Sequence, residues 1–93
     1  MSTTNVNQIL AERGDRYGTF AGHAALTQHL KGVIRQALIE RGKVLADDQM
    51  EALDMICHKI GRIVNGDPDY FDSWIDVAGY AQLVADRLMG NAR

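Results

Sequence analysis

The stretch that decides the fold is Asp48-Gln49-Met50-Glu51-Ala52-Leu53-Asp54-Met55-Ile56-Cys57-His58-Lys59-Ile60-Gly61-Arg62-Ile63-Val64-Asn65, which is followed by Gly66. Its apolar residues recur every three or four positions, which is the spacing of one helix face. They are Leu53, Ile56, Cys57, Ile60, Ile63 and Val64. Because glycine commonly follows the last helical residue, we predict one amphipathic helix over Asp48–Asn65.

Three further segments show the same periodicity and also end at a glycine. They are Asn5–Arg13 before Gly14, Thr19–Arg41 before Gly42, and Asp72–Met89 before Gly90. No stretch alternates apolar and polar residues as a strand would. Short connections between long helices favour antiparallel neighbours, so the sequence predicts an all-α, compact four-helix bundle.

The length of the chain sets limits on this bundle. Residues 1–93 form one helical domain, because a chain this short cannot support two cores. Such a small core also predicts a homo-oligomer. The apolar residues of the fourth helix are expected to be buried in the core: Trp74, Val77, Ala81, Val84 and Leu88.

Composition and charge exclude several classes of protein. Ten Lys and Arg against twelve Asp and Glu give a net charge of −2, without the basic excess of a nucleic-acid-binding surface. The polar start Met1-Ser2-Thr3-Thr4-Asn5 is not a signal peptide, and no apolar run is long enough for a membrane. Cys57 is the only cysteine, so it predicts a buried thiol and not a zinc site. We expect a cytoplasmic protein that binds neither nucleic acid nor membrane.

Acidic residues on the last two helices suggest a metal site. At about 100° per residue, Glu51, Asp54, His58 and Arg62 share one stripe of the third helix, and Asp72 and Asp76 share one of the fourth. Convergence of the four carboxylates would create a Mg²⁺ site for phosphoryl chemistry. The alternative is a solvated helix face, on which Glu51 completes a capping box with Asp48 and Asp72 acts as an N-cap.

The glycine-flanked stretch Arg13-Gly14-Asp15-Arg16-Tyr17-Gly18-Thr19-Phe20 groups two guanidinium groups with two aromatic rings. Arginine binds phosphate bidentately and tyrosine stacks on a base, so Arg13, Arg16 and Tyr17 are candidate nucleotide ligands. The alternative is that Gly14 only ends a helix, that the rings pack on the core and that the arginines are solvated.

Further candidates lie on the last two helices. Lys59 or Arg62 would neutralise phosphate, and Tyr70 and Trp74 would form a base-stacking wall or, alternatively, close the end of the bundle. The histidines of the long helix, His23 and His29, have no carboxylate at ligand spacing. We therefore predict that they are surface or partly buried residues without a ligand.

Two segments together resemble an uncharacterised family of small phage and prophage proteins. The first is Glu12-Arg13-Gly14-Asp15-Arg16-Tyr17-Gly18, and the second is Glu51-Ala52-Leu53-Asp54-Met55-Ile56-Cys57-His58-Lys59-Ile60, followed by Asn65-Gly66-Asp67-Pro68-Asp69-Tyr70 and Asp72-Ser73-Trp74-Ile75-Asp76-Val77-Ala78-Gly79-Tyr80-Ala81. More remotely, the chain is similar to the MazG-like all-α nucleotide pyrophosphohydrolases. Glu51 and Asp54 match the first acidic pair of those enzymes. Asp72 and Asp76 approximate the second, with a spacing of four positions where the enzymes have three.

Three functions therefore stay open. The first is a phage-type protein that binds a small phosphorylated nucleotide and sequesters a nucleotide signal of host defence in the host cytoplasm. The resemblance to MazG-like enzymes implies the second, a Mg²⁺-dependent pyrophosphohydrolase with Glu51, Asp54, Asp72 and Asp76 as metal ligands. The third is a helical module that binds another protein and no small molecule.

Overall fold

The computed structural model describes residues 5–93 as four helices and no strand. The helices are α1 (Val6–Tyr17), α2 (Phe20–Glu40), α3 (Asp47–Asn65) and α4 (Phe71–Leu88). This confirms the all-α helical bundle, whereas the homo-oligomer stays a prediction. The polar stretch at residues 1–4 lies outside the described residues.

The first helix is longer than the position of Gly14 predicts. Gly14 lies inside α1, and the helix ends at Tyr17, just before Gly18, whose φ of +77° is in the region that favours glycine. The predicted end at Arg13 is therefore wrong. Polar side chains cap the N-termini of the first two helices. Asn5 Oδ1 accepts hydrogen bonds from the backbone N–H groups of residues 7 and 8, and Thr19 Oγ1 accepts one from Gly22 N.

The predicted capping residues of the last two helices are also wrong. Ala46 precedes the first turn of α3, and its backbone N–H donates to Gln49 Oε1 at 2.9 Å. Asp48 lies within the helix and forms an ion pair with Arg87 of α4, at 2.6 Å from Nη2 to Oδ1. The fourth helix begins one residue earlier than predicted, so Asp72 lies in its first turn and is not the N-cap.

The third helix is the centre of the fold. It packs against α2 on one side and α4 on the other, while within residues 5–93 α2 and α4 do not contact each other. α1 contacts α2 and α3. The result is elongated, with dimensions of 47 × 31 × 26 Å. Its radius of gyration is 15.9 Å, compared with about 12 Å for a compact domain of this length.

Small residues allow α2 and α3 to approach closely. A Cβ atom at Gly61 of α3 would overlap the Thr27 methyl group and lie 2.9 Å from Nδ1 of His23. Thr27, His23 and Cys57 are all buried at this crossing, so the predicted surface or partly buried position of His23 is wrong. The predicted burial of the Cys57 thiol is thus confirmed, and burial raises its pKa.

The prediction of the fourth helix's buried face is partly wrong. Trp74 is 55% exposed, and Ala81 and Leu88 are exposed too, whereas Val77 and Val84 are half-buried. Apolar residues cover most of the circumference of α4, so periodicity alone does not determine which side faces α3. That side centres on Ser73, which is buried.

Across residues 5–93, every helix falls short of the length and apolar character that a membrane crossing demands.

The close approach at Gly61 gives a test of the α2–α3 packing. We expect Gly61→Ala to lower the free energy of unfolding by about 1–3 kcal/mol, because overpacking exceeds the gain in helix propensity. Adding Thr27→Ser, which removes the overlapping methyl group and keeps the hydroxyl that donates to Ala24 O, should recover part of that loss. Urea denaturation of both variants measures the change.

The matched control is Gly32→Ala on α2, where an added Cβ would meet nothing within 4 Å. This variant should gain up to about 1 kcal/mol, the usual difference between alanine and glycine in a helix. Equal effects at positions 61 and 32 would contradict the close α2–α3 approach.

Candidate functional site

The turn between α1 and α2 is attached to the end of α3. Asn65 Nδ2 donates to the backbone oxygens of Tyr17 and Thr19, each at 2.9 Å, and Asp67 N donates to Arg16 O at 2.7 Å. The backbone of Tyr17 passes so close to Gly66 that no Cβ would fit there. The two segments that carry the family resemblance therefore contact each other.

This attachment creates a concave site, the arginine cleft, of about 610 Å³ between α1, the start of α2 and α3. Its lining is Leu10, Arg13, Gly14, Tyr17, Gly18, Thr19, Phe20, His23, His58 and Arg62. A neighbouring cavity of about 320 Å³ adds Ile9, Glu12 and Arg16 and shares three residues with the cleft, namely Arg13, Tyr17 and Arg62. Sites for small molecules commonly have volumes of about 300–1,000 Å³.

Three guanidinium groups surround the cleft and its neighbour. Arg62 stacks on the Tyr17 ring and Arg16 on the Tyr70 ring, each with its Cζ 4.3 Å from the ring centroid. None of the ion pairs within residues 5–93 includes Arg13, Arg16 or Arg62. Their N–H groups therefore have no carboxylate partner in this part of the chain, and an anion in the cleft could bind them.

A pair of histidines closes the inner end of the cleft. His23 Nε2 and His58 Nδ1 are 3.2 Å apart, and the two rings meet edge to face with centroids 4.6 Å apart. Burial, together with the nearby Arg62 guanidinium, lowers the pKa of His58 to about 4 and also lowers the pKa of His23. At neutral pH both rings are therefore uncharged, and one donates a hydrogen bond to the other.

Tyr70 extends the aromatic surface beyond the cleft. Its ring meets Tyr17 edge to face with centroids 6.1 Å apart. The Tyr70 hydroxyl accepts from Arg16 Nη1 at 3.2 Å and donates to Asp72 Oδ2 at 2.8 Å. That hydrogen bond to the carboxylate raises the pKa of Tyr70. Asp72 therefore fixes the ring on which Arg16 stacks.

The four carboxylates predicted as metal ligands are not brought together. Asp54 forms an ion pair with Arg35 of α2, at 3.3 Å from Oδ2 to Nη2. On the other side of α3, Asp76 forms one with Lys59, at 2.9 Å from Oδ2 to Nζ. Glu51 is exposed.

Across residues 5–93, no three His, Cys, Asp or Glu side chains form a group that could hold a metal ion. The carboxylates as arranged here therefore do not fit a shared Mg²⁺ ion. The acidic stripe of α3 is not simply a solvated face either, because Asp54, His58 and Arg62 contact α2 and α1 through Arg35, His23 and Tyr17.

The predicted ligand-binding residues divide into two groups. Five are brought together around the cleft and its neighbour: Arg13, Arg16, Tyr17, Arg62 and Tyr70. Lys59 lies apart, because its ammonium group is bound to Asp76. Trp74 also lies apart, with its indole Nε1 donating to Pro68 O at 2.7 Å.

The predicted ligand residues leave out several side chains that line the cleft. Leu10 and Phe20 provide apolar lining, and His23 and His58 form the histidine pair. His23 and His58 are 35 positions apart on different helices, so no local spacing connects them. Gly61, one turn after His58, is the sequence feature that permits the close helix crossing beside this pair.

Comparison with known proteins identifies the family but not an activity. The family described as "Domain of unknown function (DUF6378)" matches residues 3–88, and the chain belongs to it. This match carries no evidence for a phage origin or for similarity to the MazG-like enzymes. No curated protein and no solved structure matches the chain.

The attachment by Asn65 gives a first test of the site. Asn65→Ala removes the side-chain amide that donates both hydrogen bonds to the α1–α2 turn, and we expect the free energy of unfolding to fall by about 1–3 kcal/mol, the sum of two ordinary hydrogen bonds. Asn7→Ala, at an exposed asparagine of α1, is the control and should change it by less than about 0.5 kcal/mol. Thermal or urea unfolding measures both, and equal losses would contradict the role of Asn65.

The histidine pair gives a second test, through pH. Because folding lowers the pKa of His58 from 6.5 to about 4, the unfolded chain binds more protons between these values. The free energy of unfolding should therefore fall as pH falls through this window. His58→Gln should make the fall shallower, as measured by urea titrations across the window.

The matched control is His29→Gln, at an exposed histidine of α2. This variant removes an imidazole that lies outside the histidine pair, so the slope of its pH profile is the reference for His58→Gln. Equal slopes in the two variants would show that the histidine pair does not resist protonation.

Proposed function

We propose that this member of a family of unknown function binds a small phosphorylated nucleotide in the arginine cleft and holds it without cleaving it. The observation that carries the proposal is the grouping of Arg13, Arg16 and Arg62, none of them ion-paired within residues 5–93, around aromatic rings at the arginine cleft and its neighbouring cavity. Nucleotides combine an anionic group with a flat ring, and the cleft offers a partner for each.

The phosphate side of the proposal rests on Arg13 and Arg62. Both line the cleft and the neighbouring cavity, so an anion at their boundary can reach both guanidinium groups. Stacking on Tyr17 restrains Arg62 before a ligand arrives. Restraint of this kind lowers the entropy lost on binding, and two guanidinium groups provide charge-assisted hydrogen bonds to phosphate oxygens.

The base side of the proposal rests on Phe20 and the histidine pair. Phe20 is 81% exposed at the edge of the cleft, where its ring can cover one face of a base. His58 Nδ1 faces His23, so the other ring nitrogen of His58, Nε2, is the edge that can hydrogen-bond to a base, and the uncharged imidazole adds no positive charge. Recognition of the ligand would therefore combine stacking with a small number of polar contacts.

Holding the ligand is favoured over hydrolysis because three of the predicted metal-binding carboxylates already have protein partners. Asp54 and Asp76 are ion-paired and Asp72 accepts a hydrogen bond. Mg²⁺ stays a prediction, and the MazG-like hydrolase becomes one outcome of the test. On the resemblance to phage and prophage proteins, the biological role would be sequestration of a nucleotide signal of host defence.

The experiment is a thermal-shift panel of nucleoside triphosphates, cyclic dinucleotides and ADP-ribose derivatives, each with and without Mg²⁺. A ligand that binds the native state raises the midpoint of unfolding. Protein mixed with each hit is then denatured and the supernatant is chromatographed. Recovery of unchanged ligand supports sequestration, and recovery of a cleaved product indicates the hydrolase. If no compound of the panel binds, the helical module that binds another protein is the function that remains.

Arg13 is the most informative position for a variant. It is exposed and has no side-chain hydrogen bond or ion pair within residues 5–93, so Arg13→Gln should leave the fold unchanged. We expect this variant to weaken binding of the hit by about 10- to 150-fold, which corresponds to about 1.5–3 kcal/mol for a hydrogen bond to a charged group. Isothermal titration calorimetry measures the difference.

The control for Arg13→Gln is Arg41→Gln at the opposite end of α2, which removes the same charge far from the cleft. It should bind the hit as the wild type does. Equal weakening by both variants would indicate a general charge effect and would contradict the site.

A further inference from the structure

The outward face of α4 carries an apolar stripe with a repeating pattern. Its members lie three and four positions apart in alternation, and all are exposed: Phe71, Trp74, Ala78, Ala81, Ala85 and Leu88. This is the spacing of the first and fourth positions of a heptad repeat, which form the seam of a coiled coil. None of the six is charged, and all of them lie outside the side of α4, centred on Ser73, that packs against α3.

The stripe is also symmetric about its own centre. In a second α4 running antiparallel about a twofold axis between positions 78 and 81, Phe71 would face the partner's Leu88 and Trp74 the partner's Ala85. Ala78 would face the partner's Ala81. Large residues would thus pair with smaller ones toward the ends, and two alanines at the centre would allow the helices to approach closely. A twofold interface requires this kind of self-complementarity.

The large accessible surface area of the chain supports an interface in which a second copy covers the α4 stripe. The accessible surface is 6767 Å², compared with about 5,400 Å² for a compact monomer of 10.3 kDa. The excess is larger than the roughly 800 Å² that each partner buries in a standard interface. Phe71 is 69%, Trp74 55% and Leu88 61% exposed, so the stripe contributes directly to it.

We propose that two copies of this chain associate through an antiparallel pairing of their α4 stripes. The uncharged residues beside the stripe, Ile75 and Gln82, offer no repulsion between the copies. The indole N–H of Trp74 is bound to Pro68 O, which satisfies its polar atom and leaves the ring's apolar surface for the partner. This dimer is independent of ligand binding in the arginine cleft.

Sedimentation velocity of the full chain from about 1 to about 100 µM tests the association, since a dimer depends on concentration. We expect a dimer at the upper end, and a shift in fluorescence of Trp74, the only tryptophan of the sequence, over the same range. A monomer at every concentration would overturn the proposal, even if a different protein were later found to bind the stripe.

A matched pair of variants locates the interface. Ala81→Glu places an unpaired carboxylate at the centre of the stripe in both copies and should raise the dissociation constant by at least about 100-fold. Ala25→Glu, at an exposed alanine of α2, should leave it unchanged. Circular dichroism of both variants checks that the helices remain, and a dimer that persists in Ala81→Glu would overturn the α4 interface.

Cysteine cross-linking tests the orientation. Under mild oxidation, a mixture of Ala78→Cys and Ala81→Cys should cross-link, whereas each variant alone should not, because these two positions face each other only in the antiparallel pair. Wild-type protein, whose Cys57 is buried, is the control. Cross-linking of each variant with itself and not in the mixture would overturn the antiparallel pairing.

Discussion

The two hydrogen bonds from the Asn65 side chain fix the geometry on which the rest of the site depends. They bind the backbone of the α1–α2 turn at Tyr17 and Thr19 to the last residue of α3. One amide thereby sets the position of α1 relative to α3. Because the arginine cleft lies between these helices, its width is determined at this point. Gly66, which leaves room for the Tyr17 backbone, is part of the same constraint.

The sequence predicted the four helices well because apolar periodicity and terminal glycines are local signals. Its predictions are wrong where the structure depends on contacts with another helix. Gly14 is a predicted helix end, but α1 continues to Tyr17, and the positive φ and the contact with Asn65 occur at Gly18. Helical spacing predicts Trp74 in the core, but α4 is apolar on most of its circumference, and only the packing against α3 selects the side at Ser73.

The candidate site was predicted in part for the same reason. Arg13, Arg16 and Tyr17 are neighbours in sequence, so their grouping was visible, whereas the addition of Arg62 required the α1–α3 contact. The histidine pair joins two helices and has no local pattern. For the carboxylates of α3 and α4, the sequence predicts a grouping that the structure does not form. Residues that share a helix face can still bind different partners, as Asp54 does with Arg35.

The weak burial of α1 has a consequence for dynamics. α1 contributes one wall of the arginine cleft but contains no buried residue, so little apolar surface resists its local opening. Its amide protons should therefore exchange with solvent faster than those of α3, even while the rest of the bundle stays folded. An anion held between Arg13 and Arg62 would link α1 to α3, so occupancy of the cleft would be recorded as slower amide exchange along the first helix.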